Sequence, residues 1–147
     1  MTHQQETFII DDLLEELLIA VKENLQNAGK PEIEVEIYRY SEEHTCSILA
    51  DRELLRQVLA HLLDNAVKFI NRGFIVFGYH VMNENLVDFF VDDTRDDTAA
   101  DLTAVNDLLQ QMGSHLKKST RGLTSALSFS IESEQIVLNQ VQETKIA

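Results

Sequence analysis

The segment from Asp51 to Gly73 carries the residues whose types and spacing best suit binding chemistry. At roughly 100° per residue, a helix over this segment places His61, Asn65 and Lys68 within about 60° of one another. The apolar residues of the segment occupy a separate arc on the helix, centred roughly 120° away from the three polar residues. The width of this arc is that of a core-facing stripe. An imidazole, an amide and an ammonium therefore converge beside the packed face, and together they suit a metal-bound phosphate. Spacing alone leaves open an ordinary surface helix with polar residues.

The elements around this segment predict an α/β fold, an α+β sandwich of two layers. Asp51 suits the N-cap of the central helix, and Gly73 suits the turn after its last residues. Hydrophobic periodicity predicts further helices over residues 7–27 and 102–112, and strands over residues 32–40, 46–50, 74–81 and 86–93. Residues 119–132 are ambiguous, and residues 135–142 suit either a final strand or a helical tail. The order predicts a mixed sheet with helices packed on one face.

Length and charge limit the function classes. The chain has 147 residues and a formal net charge of −13, and we expect residues 1–147 to form a single domain. Such a charge argues against nucleic acid and against direct contact with anionic membranes. No signal peptide and no apolar run of the ~20 residues that span a membrane are visible, so the expected location is cytoplasmic. Cys46 is the only cysteine, and we expect a small core residue rather than a nucleophile.

The run DRELLRQVLAHLLDNAVKF, from Asp51 to Phe69, resembles the N box of the ATP-binding catalytic domain of sensor histidine kinases, which has the GHKL (Bergerat) fold. The resemblance extends from about Phe8 to Ser128. It departs from the family pattern at His61, where the family has its first asparagine.

The resemblance implies roles for the polar stripe of this helix, which consists of His61, Asn65 and Lys68. Asn65 would hold Mg²⁺ through its side-chain oxygen, and that ion would bridge the phosphates of ATP. Lys68 would contact a phosphate as a point charge. His61 would lie near the γ-phosphate and is the candidate catalytic residue. ATP and Mg²⁺ are therefore the expected cofactors.

The segment from Val91 to Thr94 resembles the first glycine box of the same family. Asp93 would accept a hydrogen bond from the adenine amino group, and Thr94 matches the next position. The two glycines of the box are replaced by Arg95 and Asp97. A non-glycine residue forced to positive φ costs roughly 1–2 kcal/mol, so we expect strain at these positions and weaker nucleotide binding.

A second glycine box is faintly matched between Thr120 and Ser128, where Gly122 and Leu123 are expected to contact nucleotide. Thr124 replaces a glycine at an expected helix N-terminus, which would present N–H groups to phosphates. Both glycine boxes are thus degenerate.

Three functional hypotheses remain. The chain is the ATP-binding domain of a histidine kinase of two-component signalling, with weakened or lost nucleotide binding. Alternatively, it is a non-catalytic module that docks on a kinase dimerisation and phosphoacceptor helical domain or on a response regulator. The third hypothesis is an unrelated α/β domain with a chance match.

No histidine has the sequence context of a phosphoacceptor, so we do not expect this chain alone to be a complete kinase. It would be either a fragment of a larger protein or a freestanding domain. Lys117, Lys118 and Arg121 form a small basic cluster, which is either solvated or positioned to contact phosphates.

Overall fold

The computed structural model describes residues 4–95, 102–121 and 124–140. Its elements in chain order are β1 (Glu6–Ile9), α1 (Ile10–Asn27), β2 (Glu34–Tyr38), β3 (His44–Ala50), α2 (Arg52–Phe69), β4 (Phe74–Asn83), β5 (Leu86–Asp93), α3 (Thr103–Gln111), β6 (Lys117–Arg121), β7 (Thr124–Glu132) and β8 (Ile136–Gln140). None of the helices in these ranges combines the length and the apolar composition needed to span a membrane.

The predicted mixed sheet with packed helices is confirmed. Five strands lie in the order β2-β4-β5-β7-β6, in which β2 and β4 are parallel and the other neighbours are antiparallel. A second, antiparallel sheet of three strands, β1-β3-β8, was not predicted. Residues 7–9, which were predicted as the start of a helix, belong to β1 instead, because Phe8 of β1 pairs with Ile48 of β3.

One face of the five-stranded sheet forms the core with the helices. Alternate residues of β4, β5 and β7 are buried on this face, as the period of a strand requires. Phe89 and Phe129 lie opposite each other on adjacent strands, and their rings stack with centroids 5.3 Å apart. The helices α1 and α2 pack on each other and on the sheets, and α3 packs on α2.

The central helix begins as predicted. The Asp51 carboxylate accepts a hydrogen bond from the backbone N–H of Leu54 at 3.0 Å, which satisfies an otherwise unpaired donor of the first turn. The helix ends at Phe69, and Ile70 is already extended. Gly73 therefore serves the turn into β4, with φ 104°, rather than the helix end.

The second glycine box is contradicted as a helix N-terminus. Residues 117–121 and 124–132 form the antiparallel pair β6 and β7, so Thr124 begins a strand. Every second residue of β7 is buried, with Ser125, Leu127 and Phe129 facing the core. This two-residue period is that of a strand and not of a helix. Gly122 and Leu123 lie outside the described residues.

A buried polar network ties α1 to both sheets. The Asp11 carboxylate is 7% exposed and accepts hydrogen bonds from the Tyr79 hydroxyl at 2.7 Å and from the backbone N–H of Cys46 at 3.0 Å. Burial, and secondarily the nearby Asp11, raise the pKa of the Cys46 thiol to about 12. Burial and the hydrogen bond to Asp11 also raise the pKa of Tyr79. Cys46 is thus the inert core residue that was predicted, because only a thiolate is a strong nucleophile.

We expect the substitution Tyr79→Phe to lower the free energy of unfolding by about 1–3 kcal/mol, because the buried Asp11 carboxylate loses a donor. Urea denaturation followed by circular dichroism measures this loss. The control is Tyr40→Phe, on a half-buried ring that stacks on Tyr79, with an expected change below about 0.5 kcal/mol. Equal losses in the two variants would show that the Asp11 contact contributes nothing.

Candidate functional site

The polar stripe of α2 opens on a shallow hollow between α2 and the first turn of α3. The hollow has a volume of about 200 Å³ and is lined by His61, Asp64, Asn65, Lys68, Ala104 and Val105. The structure therefore brings together three residues that the sequence placed on one helix face. It adds Asp64, which the sequence analysis did not single out.

Two contacts from α1 and the turn after it hold this part of α2 in place. The Lys30 ammonium donates to the backbone carbonyls of Val67 at 2.8 Å and of Lys68 at 3.2 Å. Carbonyls in the last turn of a helix have no hydrogen-bond partner within the helix, and Lys30 supplies one. The Asn24 amide donates to the Asp64 carboxylate at 3.2 Å. The last turn of α2, which carries Lys68, is therefore fixed from outside the helix.

The donors around the hollow suit a magnesium-bound phosphate. Mg²⁺ is usually held by one or two protein oxygens together with phosphate oxygens, and the Asn65 amide and the Asp64 carboxylate offer such oxygens. The exposed ammonium of Lys68 lies on the same hollow, where it can contact a phosphate. Within the described part of the chain, no group of three or more His, Cys, Asp or Glu side chains is arranged to hold a metal.

Asp93 has a different environment. Its carboxylate is paired with the Arg95 guanidinium: Nε donates to Oδ1 at 2.7 Å and a terminal nitrogen donates to Oδ2 at 2.5 Å. The backbone N–H of Arg95 also donates to Oδ1 at 3.1 Å. The two side chains are 1% and 2% exposed. Asp93 is not among the described residues that line the hollow, and both its oxygens already accept hydrogen bonds.

Arg95 is the residue whose role sequence reasoning missed. The expected backbone strain is not found there, because no non-glycine residue in the described ranges has a positive φ. Its effect is instead electrostatic, since it neutralises the carboxylate expected to bind adenine. Residues i and i+2 of an extended chain point to the same side, so the spacing of Asp93 and Arg95 was the available signal.

Phe69 connects this ion pair to the polar stripe. The Arg95 guanidinium lies 5.7 Å from the centroid of the Phe69 ring, and the Lys68 ammonium lies 5.4 Å from it. Both distances are within the range of a cation–π contact. The ion pair therefore adjoins the end of α2 that carries Lys68.

Thr94 has a role in the fold that the prediction did not include. Its hydroxyl donates to the carbonyl of Arg72 at 2.8 Å and accepts from the backbone N–H of Phe74 at 3.0 Å. A Cβ atom added at Gly73 would lie 2.0 Å from the Thr94 hydroxyl oxygen. Thr94 thus clamps the turn into β4, and Gly73 makes room for it.

Comparisons with known proteins bear on the fold. No protein-family model and no curated protein matches the sequence. Among solved structures, histidine kinase AdeS of Acinetobacter baumannii matches with a TM-score of 0.75 and 20% identity, over 92% of this chain and 70% of AdeS. The catalytic domain of histidine kinase ThkA, solved nucleotide-free, matches with a TM-score of 0.70 and 16% identity, over 88% of this chain and 96% of that domain.

A third match is full-length ShkA, solved in complex with AMPPNP, with a TM-score of 0.72 and 22% identity. The match covers 97% of this chain but only 33% of ShkA. These likenesses show that the chain has the fold of histidine kinase catalytic domains, an α+β sandwich with a mixed sheet. The predicted fold class is therefore confirmed.

Proposed function

We propose that this chain is a histidine kinase-type ATP-binding domain of two-component signalling in which nucleotide binding is weakened or lost. Residues 1–147 form one domain of this type and act in the cytoplasm. The domain docks on a kinase dimerisation and phosphoacceptor helical domain or on a response regulator. The observation that carries the proposal is the buried pair of Asp93 and Arg95.

The ion pair opposes adenine binding for a chemical reason. The amino group of adenine needs an acceptor, and Arg95 occupies both oxygens of the carboxylate expected to supply it. An arginine remains charged at any relevant pH, so it cannot yield by losing a proton. Separating a buried ion pair costs about 3–5 kcal/mol. At about 1.4 kcal/mol per factor of ten in affinity, micromolar binding would become millimolar.

A second candidate function is an active catalytic domain that phosphorylates a histidine in another segment. The observation that favours it is that His61, Asn65 and Lys68 line one hollow. These are the three residues that were predicted to lie around Mg²⁺ and the phosphates. The structure of ShkA with AMPPNP supports the general capacity of this fold for nucleotide. In this reading the residues position Mg²⁺ and phosphates, and Arg95 moves away from Asp93 when nucleotide enters.

Calorimetric titration with Mg²⁺–ATP separates the two candidates. We expect the unmodified chain to give no saturable heat up to millimolar nucleotide, and Arg95→Gly to gain measurable binding because the Asp93 carboxylate becomes available. Adding Asp93→Asn to that variant should abolish the gain. The control is Arg39→Gly, which removes the same charge from a residue paired with Glu15 on α1.

The opposite outcome is equally defined. Micromolar binding by the unmodified chain that is lost in both Asn65→Ala and Asp93→Asn would refute the proposal and support the active catalytic domain. Circular dichroism of each variant establishes that it is folded under the conditions of the titration.

A further inference from the structure

The five-stranded sheet has a second face that no described helix covers. Along β4 and β5, buried residues alternate with exposed or half-buried ones, and Phe74, His80 and Phe90 belong to this outer set. Tyr38 lies on the same face of β2, because it pairs in register with Gly78 of β4. Tyr38 is 41% exposed and Phe74 is 40% exposed. Large aromatic side chains therefore lie at the surface in one region.

Three of these rings form a compact cluster. The ring centroids of Tyr38 and His80 are 4.9 Å apart, those of His80 and Phe90 are 5.2 Å apart, and those of Tyr38 and Phe90 are 5.7 Å apart. Gly78 makes the cluster possible, because it lies in register between Tyr38 and Phe90 on the neighbouring strands. A Cβ atom at Gly78 would lie 2.5 Å from the Tyr38 carbonyl oxygen.

The cluster lies in an acidic setting. A groove of about 620 Å³ runs over this face, and its lining includes Tyr38, His80 and Phe90 together with Asp88 and Asp92. The two aspartates flank Phe90 on the outer side of β5. Lys117 of β6 is in register with Ser128 and lies on the same face at its edge, where it is outnumbered by carboxylates.

Glu34 and Glu36 extend the acidic character along the outer side of β2. Aromatic faces attract cations, and carboxylates beside them add to that attraction. The face therefore combines apolar contact area with negative charge.

We propose that this outer face, centred on Tyr38, His80 and Phe90, is a docking surface for a partner protein segment that carries lysine or arginine side chains beside apolar ones. Charge complementarity selects this occupant. A second copy of the chain would bring like charges together, and like charges across an interface oppose binding. The surface lies on the side of the sheet opposite α2, so the inference holds whether or not nucleotide binds in the hollow.

A labelled peptide of alternating lysine and leucine tests the surface by fluorescence anisotropy. We expect saturable binding to the full chain, weakened at least about tenfold by Phe90→Ser, as for a central anchor of an interface. The double variant Asp88→Asn with Glu36→Gln should weaken it similarly. Tyr38→Ser is the second aromatic variant, in case Phe90→Ser does not fold.

The matched controls lie on α1. Ile19→Ser removes an exposed apolar side chain that is 69% exposed, and Asp12→Asn removes an exposed carboxylate in the first turn of α1. Neither should change the affinity. A peptide with glutamate in place of lysine should not bind.

Three outcomes would overturn the proposal. The first is no saturable binding up to millimolar peptide. The second is equal binding by the outer-face variants and the α1 controls, which would indicate general attraction to an acidic protein. The third is self-association of the chain that Phe90→Ser abolishes, because it would assign the face to a second copy. The peptide assay uses no nucleotide, so its failure is distinct from a failure of the proposed function.

Discussion

The substitution Asp93→Asn is expected to lower the free energy of unfolding by about 3–5 kcal/mol, because it leaves the buried guanidinium of Arg95 without a counter-charge. Three hydrogen bonds converge on the Asp93 carboxylate, and an asparagine cannot accept all of them with the same geometry. Urea denaturation at neutral pH measures the loss. A native domain is stable by only about 5–15 kcal/mol, so the effect is a large fraction of the total.

The control for this prediction is Asp107→Asn, at an exposed position of α3, with an expected change within about 0.5 kcal/mol. A second variant replaces Asp93 by leucine and Arg95 by methionine together. Because apolar groups of similar volume can substitute for a buried ion pair, this double variant should recover most of the stability. A loss below about 1 kcal/mol for Asp93→Asn would contradict a dry, closed ion pair.

The substitution Phe129→Ala is expected to lower the free energy of unfolding by about 3–5 kcal/mol, the usual cost of removing a buried aromatic ring from a core. Phe129 is fully buried and its ring stacks on Phe89 of the adjacent strand, so the neighbours cannot easily fill the space. Thermal or urea denaturation measures the loss. Phe129→Leu, which keeps much of the volume, should cost less.

The matched control is Phe74→Ala on the outer face of the same sheet, where the ring is 40% exposed. We expect this variant to lose less than about 1 kcal/mol. Similar losses for Phe129→Ala and Phe74→Ala would mean that the two faces of the sheet do not differ in burial. That result would also contradict the description of the outer face as exposed, on which the proposed docking surface depends.

The stability and nucleotide predictions meet at one ion pair. If Asp93 is held by Arg95 as the distances indicate, then breaking the pair should cost stability, and removing Arg95 should make the carboxylate available to a ligand. The same contact thus stabilises the fold and occupies the expected adenine acceptor. Measuring both properties on Arg95→Gly determines whether the two effects have the same origin.

Local sequence patterns were sufficient for the central helix and the hairpin. The apolar spacing from Leu55 to Phe69 has a helical period, Asp51 has the short acceptor of an N-cap, and the polar stripe follows from the same geometry. The β4–β5 hairpin followed from two β-rich runs joined by a short polar turn. These features depend on interactions between residues close in sequence, so one sequence was enough to predict them.

Tertiary structure decided the rest, because the deciding partners are far apart in the chain. Phe8 is in a strand rather than a helix because β3, some forty residues later, offers it a ladder. Thr124 begins a strand because β5 and β6 lie on either side of β7. The pairing of Asp93 with Arg95 is local in sequence, but its strength comes from burial by the surrounding fold, and burial is a property of the folded chain rather than of two nearby residues.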